Sequence, residues 1–189
     1  MSVHGVAEKV AAVVREAKCE FVMCNFAPPD MVRVPPSLPT PRLNENENDA
    51  AVQVGHTGMF DAAVEAITHT DEAVGIVYAA CQEAGYTLLV TADHGNAEQM
   101  LNLETGAPHT AHTTNKVPFI MAGPKDTAFA FADDKDRKED EEEGALCDVA
   151  PTVLALLGLD KPEGACFNHI FSSLIETGLE MTGRSLLAA

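Results

Sequence analysis

Two short polar segments carry the residues of this chain that are best suited to chemistry. The first is TADHGNAE at residues 91–98, and the second is HTAHTTN at residues 109–115. Carboxylate and imidazole groups bind divalent cations such as Mn²⁺ and Zn²⁺, so Asp93, His94 and His112 are candidate metal ligands. An Asp–His pair that only caps a turn is the alternative for the first segment taken alone. The presence of the second segment favours a metal site over that alternative.

Apolar runs flank both segments and predict buried strands. Residues 86–92 end directly before Asp93, and residues 117–122 begin shortly after His112. Apolar runs of this length between turn signals are typical of buried strands, and open α/β sheets bind ligands at the carboxyl ends of their strands. We also expect Gly95 to let the backbone bend, so that the two side chains before it face one cavity.

Two further candidates lie earlier in the chain. Asp30 follows a third apolar run, residues 20–26, which is also typical of a buried strand. His56 belongs to the sequence GHTG at residues 55–58, which leads into a long predicted helix. We therefore expect carboxylates and imidazoles from separate strand ends to cluster at one edge of the sheet, namely Asp30, Asp93, His94 and His112.

The remaining elements complete an α/β pattern. Residues 6–17 and 57–84 have apolar residues at helical spacing, and Gly85 is suited to cap the second helix. A further helix is predicted to begin at Asp148 as its N-cap, with Pro151 in its first turn. Strands that alternate with helices predict an α/β fold with a mostly parallel sheet and helical cover.

Three segments interrupt this pattern. Residues 33–54 are rich in Pro, Asn and Glu, a composition that favours a disordered insertion. Residues 133–143 form an acidic run that we interpret as a solvated loop. Residues 164–179 carry a short apolar patch at helical spacing and are predicted to be a second insertion.

Composition limits the class of protein. The 189 residues are 46% hydrophobic, enough for a real core, and the net charge of −17 argues against nucleic-acid binding, which requires clustered Lys and Arg. No apolar run is long enough to span a membrane, and no secretion signal is recognisable. We therefore expect a cytoplasmic protein of about one domain.

The cysteines predict neither disulfides nor a thiolate metal site. Their number is odd and no CxxC spacing occurs, so reduced thiols without a catalytic role are expected. They are Cys19, Cys24, Cys81, Cys147 and Cys166.

Taken together, five motifs resemble those of the cofactor-independent (2,3-bisphosphoglycerate-independent) phosphoglycerate mutases, in the same order along the chain. The motifs are NFAPPDMV at 25–32, GHTG at 55–58, TADHGNAE at 91–98, HTAHTTN at 109–115 and MTGRSL at 181–186. The resemblance implies an α/β fold of the alkaline phosphatase superfamily. It also implies that residues 1–189 are the C-terminal part of the metal-binding, phosphatase-like domain, truncated at the N-terminus.

By the same resemblance, the metal ligands fall into two sets. Asp30, His56 and His112 resemble the protein ligands of one Mn²⁺, whereas Asp93 and His94 resemble ligands of a second. Zn²⁺, Mg²⁺ or Co²⁺ could occupy similar donors. His109 resembles a neighbour of the site rather than a ligand, and no motif includes His4, His69 or His169. In the family the residues equivalent to Asp30 and His56 lie only a few residues apart, so residues 33–54 are a departure from its pattern.

The resemblance also implies an activity. The family interconverts 3-phosphoglycerate and 2-phosphoglycerate, a reaction of glycolysis and gluconeogenesis, through a phosphorylated serine, and phosphoglycerate is thus the implied substrate. The nucleophile motif is matched by none of the serines of this chain, which are Ser2, Ser37, Ser172, Ser173 and Ser185. We therefore expect the nucleophile to lie outside this chain.

Two alternatives stay open. The chain could belong to another phosphohydrolase or phosphomutase of the alkaline phosphatase superfamily, or it could be a non-catalytic, metal-binding fragment. An open sheet edge left by truncation would also favour self-association.

Overall fold

The computed structural model describes residues 2–27, 60–124, 131, 144–162 and 184–187. The chain forms two compact units, Met1–Asp126 and Thr127–Ala189. The three predicted interruptions, residues 33–54, 133–143 and 164–179, lie outside the described residues, as do Asp30 and His56. No helix in the described ranges is long and apolar enough to cross a membrane.

Two helices form the core of the first unit. Helix α1 spans Val3–Glu16, begins at Ser2, whose hydroxyl accepts a hydrogen bond from the Gly5 amide, and ends at Ala17 with φ of 48°. Helix α2 spans Phe60–Ala84. It ends as the sequence predicts, because Gly85 takes a φ of 78° and the Tyr86 amide donates to the Cys81 carbonyl at 2.9 Å, as in a Schellman cap.

The contact between α1 and α2 is built from small side chains. Ala7 and Ala11 of α1 and Ala73 and Ala80 of α2 have no exposed surface. Spacings of four and seven residues place such side chains on one helix face, so the two backbones approach closely there. Larger residues complete the cluster on either side, namely Val3, Val14, Val77 and Cys81.

Two short strands follow α2 and pair in the antiparallel direction. Strand β1 spans Leu88–Thr91 and strand β2 spans Phe119–Ala122, with Leu88 opposite Ala122 and Thr91 opposite Phe119. The side-chain amide of Gln82 donates to the Gly123 carbonyl at 2.9 Å and so fastens the end of β2 to α2. The one strand pair in the described residues is antiparallel. The mostly parallel sheet that the sequence predicts therefore stays a prediction.

The predicted strand at residues 20–26 is wrong. This segment has no regular secondary structure, and the side chains of Phe21 and Met23 are exposed at 53% and 83%. Only Val22 and Phe26 pack against the helical core. A strand needs a partner for its backbone groups, and no described residue pairs with this segment, so its apolar composition alone did not make it a strand.

The second unit contains the predicted helix at Asp148. A 3₁₀ turn, Leu146–Asp148, leads into helix α3, Val149–Leu156. Asp148 holds the N-cap position, but its carboxylate does not cap the helix. One of its oxygens accepts a hydrogen bond from the Ala145 amide at 2.8 Å and the other from the Arg184 amide at 2.7 Å. This buried carboxylate therefore ties the C-terminal segment to the start of α3.

Candidate metal centre

The two polar motifs meet because β1 and β2 are antiparallel. The chain leaves β1 at Thr91 and enters β2 at Phe119, which are opposite each other, so residues 92–118 begin and end at the same end of the sheet. We call residues 92–118 the site hairpin. In a parallel pair, the end of one strand and the start of the next would lie at opposite ends. The direction of this pair is thus what allows Asp93, His94 and His112 to lie close together.

Backbone bonds hold the two arms of the site hairpin together. The Thr113 amide donates to the Gly95 carbonyl and the His109 amide donates to the Met100 carbonyl, both at 2.9 Å. At the tip, Gly106 takes a φ of 68° and its amide donates to the Asn102 carbonyl at 2.8 Å. The segment therefore has a defined register between its two ligand-bearing ends.

The imidazole rings of His94 and His112 stack on each other. Their ring centroids are 3.6 Å apart and their planes differ by 13°. Asp93 adds a carboxylate on the same side, since its Oδ1 lies 3.7 Å from Nε2 of His94. The Asp93 side chain is 88% exposed and the His94 side chain 28% exposed, so the carboxylate is open to solvent. Three of the predicted ligands are therefore brought into one place.

These three residues do not form a complete metal cage by themselves. Among the described residues, the one set of three donors within 4.8 Å of one another lies elsewhere, at His4, His69 and Glu72. Asp30 and His56, the other two predicted ligands, lie outside the described residues. The donor types at Asp93, His94 and His112 nevertheless fit a divalent metal, because a carboxylate and two imidazoles suit Mn²⁺, Co²⁺ and Zn²⁺.

Glu98 supports the hairpin and was given no role by the sequence. Its Oε1 accepts hydrogen bonds from the Thr113 hydroxyl and, at 3.0 Å, from the Asn115 side-chain amide, and its Oε2 accepts one from the Asn96 amide at 2.5 Å. Burial raises the pKa of Glu98, but the hydrogen bonds from Thr113, from nearby backbone and from Asn115 outweigh it and hold the pKa below its usual value. The ionised carboxylate therefore joins both arms of the hairpin.

Gly95 has a different role from the one that the sequence suggested. It has no positive φ, so no special backbone bend depends on it. Instead, a Cβ at this position would come closer than 3.0 Å to Oγ1 of Thr113 and to the carboxylate of Glu98. The absence of a side chain at Gly95 is what allows Thr113 and Glu98 to meet.

His109 lies on the arm that carries His112, and one of its nitrogens is buried. Its Nδ1 has no hydrogen-bond partner among the described residues. A buried imidazole nitrogen without a partner is unfavourable by about 1–3 kcal/mol. A water molecule or another polar group at this nitrogen would remove that cost.

Serine and cysteine side chains are the other candidate nucleophiles among the described residues. Ser2 caps α1, and the hydroxyl of Ser185 accepts a hydrogen bond from the Leu187 amide at 3.3 Å. Cys19, Cys24, Cys81 and Cys147 are free thiols. Burial raises the pKa of both Cys24 and Cys81, which disfavours the reactive thiolate form.

Similarity to known proteins agrees with the motifs. A protein from Caenorhabditis elegans named 2,3-bisphosphoglycerate-independent phosphoglycerate mutase is 45% identical over 162 residues, which cover 86% of this chain and 24% of the relative. A protein of the same name from Rhodopirellula baltica is 38% identical over 187 residues, 99% of this chain and 26% of the relative. The predicted resemblance is thereby confirmed. The chain spans about a quarter of the length of these curated relatives.

The fold also has a solved counterpart. A structure of Leishmania mexicana phosphoglycerate mutase, described as obtained at low cobalt concentration, matches with a TM-score of 0.67. The match covers 100% of this chain and 28% of that one, at 22% sequence identity. At this identity the likeness concerns the fold alone.

A family profile covers most of the chain. The profile of the Metalloenzyme superfamily matches residues 42–161, which include His56 and the whole site hairpin. Because this match extends over more than half of the sequence, the chain belongs to the Metalloenzyme superfamily.

Proposed function

We propose that this chain supplies metal ligands to a two-metal phosphoryl-transfer centre that interconverts 3-phosphoglycerate and 2-phosphoglycerate. The relatives that it matches are named phosphoglycerate mutases. The observation that carries the proposal is the stacking of His94 on His112, which brings together imidazoles from two separate motifs.

The stacking distance suits two metals rather than one. An imidazole nitrogen binds a cation along its lone pair, which lies in the plane of the ring. Two rings with nearly parallel planes and centroids 3.6 Å apart therefore direct their lone pairs along separate, parallel planes. Two-metal phosphoryl-transfer sites hold their ions about 3.5–4 Å apart. The geometry thus supports His94 and His112 serving different ions.

The proposed ligand sets are those that the resemblance of the motifs implies. Asp93 and His94 would hold one ion, and His112 would hold the other together with Asp30 and His56. Mn²⁺ is the proposed metal, with Co²⁺, Zn²⁺ and Mg²⁺ as possible substitutes, because the set mixes carboxylates with neutral imidazoles. When bound, such a metal pair lowers the pKa of a nucleophile and stabilises charge on the transferring phosphoryl group.

The other residues of the site hairpin have a positioning role in this proposal. The Glu98 carboxylate accepts a hydrogen bond from Thr113, the residue after His112. Gly95, the residue after His94, has no side chain that would block this contact. Phosphoryl transfer depends chiefly on positioning and electrostatic stabilisation, so the register of the two arms would position the ligands of one ion relative to those of the other. The serine that carries the phosphoryl group is proposed to lie outside this chain, since no serine here matches the nucleophile motif.

A non-catalytic, metal-binding role is the second candidate. The chain spans about a quarter of the length of its curated relatives, and the groups that would grip phosphoglycerate are not apparent among its few cationic residues. On this alternative the metal centre would bind ions without turnover.

Calorimetric titration with Mn²⁺ beside a coupled assay on 3-phosphoglycerate tests both candidates. We expect the chain to bind Mn²⁺ and the variants His94→Ala and His112→Ala to bind it at least about tenfold more weakly, since even groups that only orient a ligand contribute about 10- to 100-fold. Glu104→Gln is the matched control, because it removes an exposed negative charge from the same hairpin without touching a ligand.

The assay separates the two candidates. Turnover that is lost in His112→Ala would show that the chain is catalytic, and binding without turnover would favour a fragment that requires the rest of a longer enzyme. Equal Mn²⁺ affinity in all four proteins, or no Mn²⁺ binding by any of them, would exclude a metal centre at His94 and His112.

A further inference from the structure

A second group of metal-binding side chains lies on the two helices, away from the site hairpin. Nε2 of His4 and Nδ1 of His69 each lie 3.0 Å from the same carboxylate oxygen of Glu72. The donor atoms of the three residues all lie within 4.8 Å of one another. None of these residues belongs to a motif of the proposed phosphoryl-transfer centre, so the group needs its own explanation.

The helical core holds the three side chains in place. His4 is on the first turn of α1, and Glu72 follows His69 by three positions on α2, which places both on one helix face. Their neighbours Val3 and Ala73 are buried between the helices at 8% and 0% exposure. The backbone beneath the group is therefore fixed by close packing rather than by the polar contacts themselves.

Two of the three distances between donor atoms are close to those of a zinc site. In a tetrahedral site with bonds of about 2.0–2.1 Å, neighbouring ligand atoms are about 3.3 Å apart. The two His–Glu distances of 3.0 Å are within a few tenths of an ångström of that value. Two imidazoles with one carboxylate are a donor set that Zn²⁺ uses, with water in the fourth position.

The surroundings suit a cation that keeps one water. The side chains of His4, His69 and Glu72 are 39%, 48% and 53% exposed, so solvent reaches the group. The rings of His4 and His69 meet edge to face with centroids 5.4 Å apart.

We propose that His4, His69 and Glu72 form a Zn²⁺ site that links the start of α1 to α2. Imidazole ligands and the order of divalent-metal affinities favour Zn²⁺ over Mn²⁺ and Mg²⁺ here. This Zn²⁺ site uses residues of α1 and α2 and none of the site hairpin. It therefore does not depend on the function proposed for the hairpin. Its role is to hold two helices together, since the ligands come from both.

The test uses the whole chain with His94→Ala and His112→Ala, so that the two stacked imidazoles of the site hairpin cannot contribute. Calorimetric titration with ZnCl₂ should show a single ion bound to this double variant. Adding His4→Gln or Glu72→Gln should weaken Zn²⁺ binding by more than about tenfold, because removal of a ligand exceeds the loss caused by removing a group that only orients one.

Glu83→Gln is the matched control for these variants. Glu83 accepts a hydrogen bond from Arg15 at 2.5 Å and so also links α2 to α1, but no imidazole is involved. This variant should lose a helix–helix contact and keep its Zn²⁺ affinity. A fall in affinity equal to that of Glu72→Gln would show that only helix docking matters and would overturn the site.

A second measurement covers the case in which the multiple variants do not fold. In the unmodified chain, the imidazole resonances of His4 and His69 should shift on addition of ZnCl₂ and reach their end point together. Three outcomes would each overturn the Zn²⁺ site: resonances that do not move, no Zn²⁺ binding by a folded double variant, or undiminished binding after His4→Gln. His4, Glu72 and His69 would then form hydrogen bonds without a metal.

Discussion

The hydroxyl of Thr113 donates a hydrogen bond to the carboxylate of Glu98, across the two arms of the site hairpin. The same carboxylate accepts a hydrogen bond from the Asn96 amide, so a single side chain fixes both the segment after His94 and the segment after His112. The stacking of the two imidazoles therefore depends on a residue that is not itself a predicted ligand.

Gly95→Ala should destabilise the site hairpin. The new methyl group would come within 3.0 Å of Thr113 Oγ1 and the Glu98 carboxylate, which would have to move apart. Because this combines overpacking with loss of a hydrogen bond, we expect the free energy of unfolding to fall by about 1–3 kcal/mol. Chemical denaturation of the chain measures the change, and faster amide exchange at Thr113 would locate it.

Gly75→Ala is the matched control for that variant. Gly75 lies inside α2, and nothing stands within 4 Å of the position that its Cβ would occupy. Alanine in a helix interior is more stable than glycine by about 0.5–1 kcal/mol. The control should therefore raise the stability of the chain. Destabilisation by both substitutions would contradict the close-approach role of Gly95.

Glu98→Gln should lower stability in a pH-dependent manner. The pKa of Glu98 in the folded chain lies below its ordinary value of 4.5, so its ionised form stabilises the folded state. This contribution to stability is fully present above pH 4.5, and it disappears as the pH falls through the lower pKa of Glu98 in the folded chain. Because Glu98 is exposed and solvent screens its contacts, the variant should be less stable by at most about 1 kcal/mol at neutral pH, and the difference should shrink in acid. A difference that grows as the pH falls would contradict this assignment.

The sequence predicted the helices, which depend on local patterns, and it also led us to expect the two polar motifs to meet, although that meeting depends on strand direction. Apolar spacing identified α1 and α2, and Gly85 marked the end of α2. The convergence of His94 and His112 was expected since each motif adjoins a strand. Strand direction was not predictable in the same way. Alternation of helices and strands favours parallel pairing, whereas β1 and β2 are joined without a helix and pair antiparallel.

Contacts between residues that are far apart in the chain could not be predicted from the sequence. Glu98 was seen only as part of a motif, because its role arises from Thr113 on the opposite arm. Similarly, His4 and His69 were left without a function, since nothing in the sequence shows that α1 places His4 beside Glu72. The apolar run at residues 20–26 was misassigned because a strand also requires a partner.

Thr152→Val should destabilise the second unit. Thr152 is fully buried, and its hydroxyl donates to the Asp148 carbonyl at 2.7 Å and accepts from the Leu186 amide at 3.0 Å. Valine keeps the shape but leaves the Leu186 amide without its acceptor, at a cost of about 1–3 kcal/mol. Hydrogen exchange at Leu186 should accelerate. Thr68→Val is the control, because among the described residues the Thr68 hydroxyl donates to the Val64 carbonyl of its own exposed helix face, and its effect should stay within about 0.5 kcal/mol.

Ala80→Leu should disrupt the contact between α1 and α2, whereas Ala79→Leu should not. Ala80 has no exposed surface and belongs to the close helix–helix contact, but Ala79 is exposed. A larger side chain in a well-packed core costs about 1–3 kcal/mol, and most surface substitutions change stability by less than about 0.5 kcal/mol. Since leucine has nearly the helix propensity of alanine, a difference between the two variants in denaturant unfolding reports packing rather than helix formation. Equal stability of the two variants would mean that the two helices do not pack through this face, and the link between His4 and Glu72 would then lose its support.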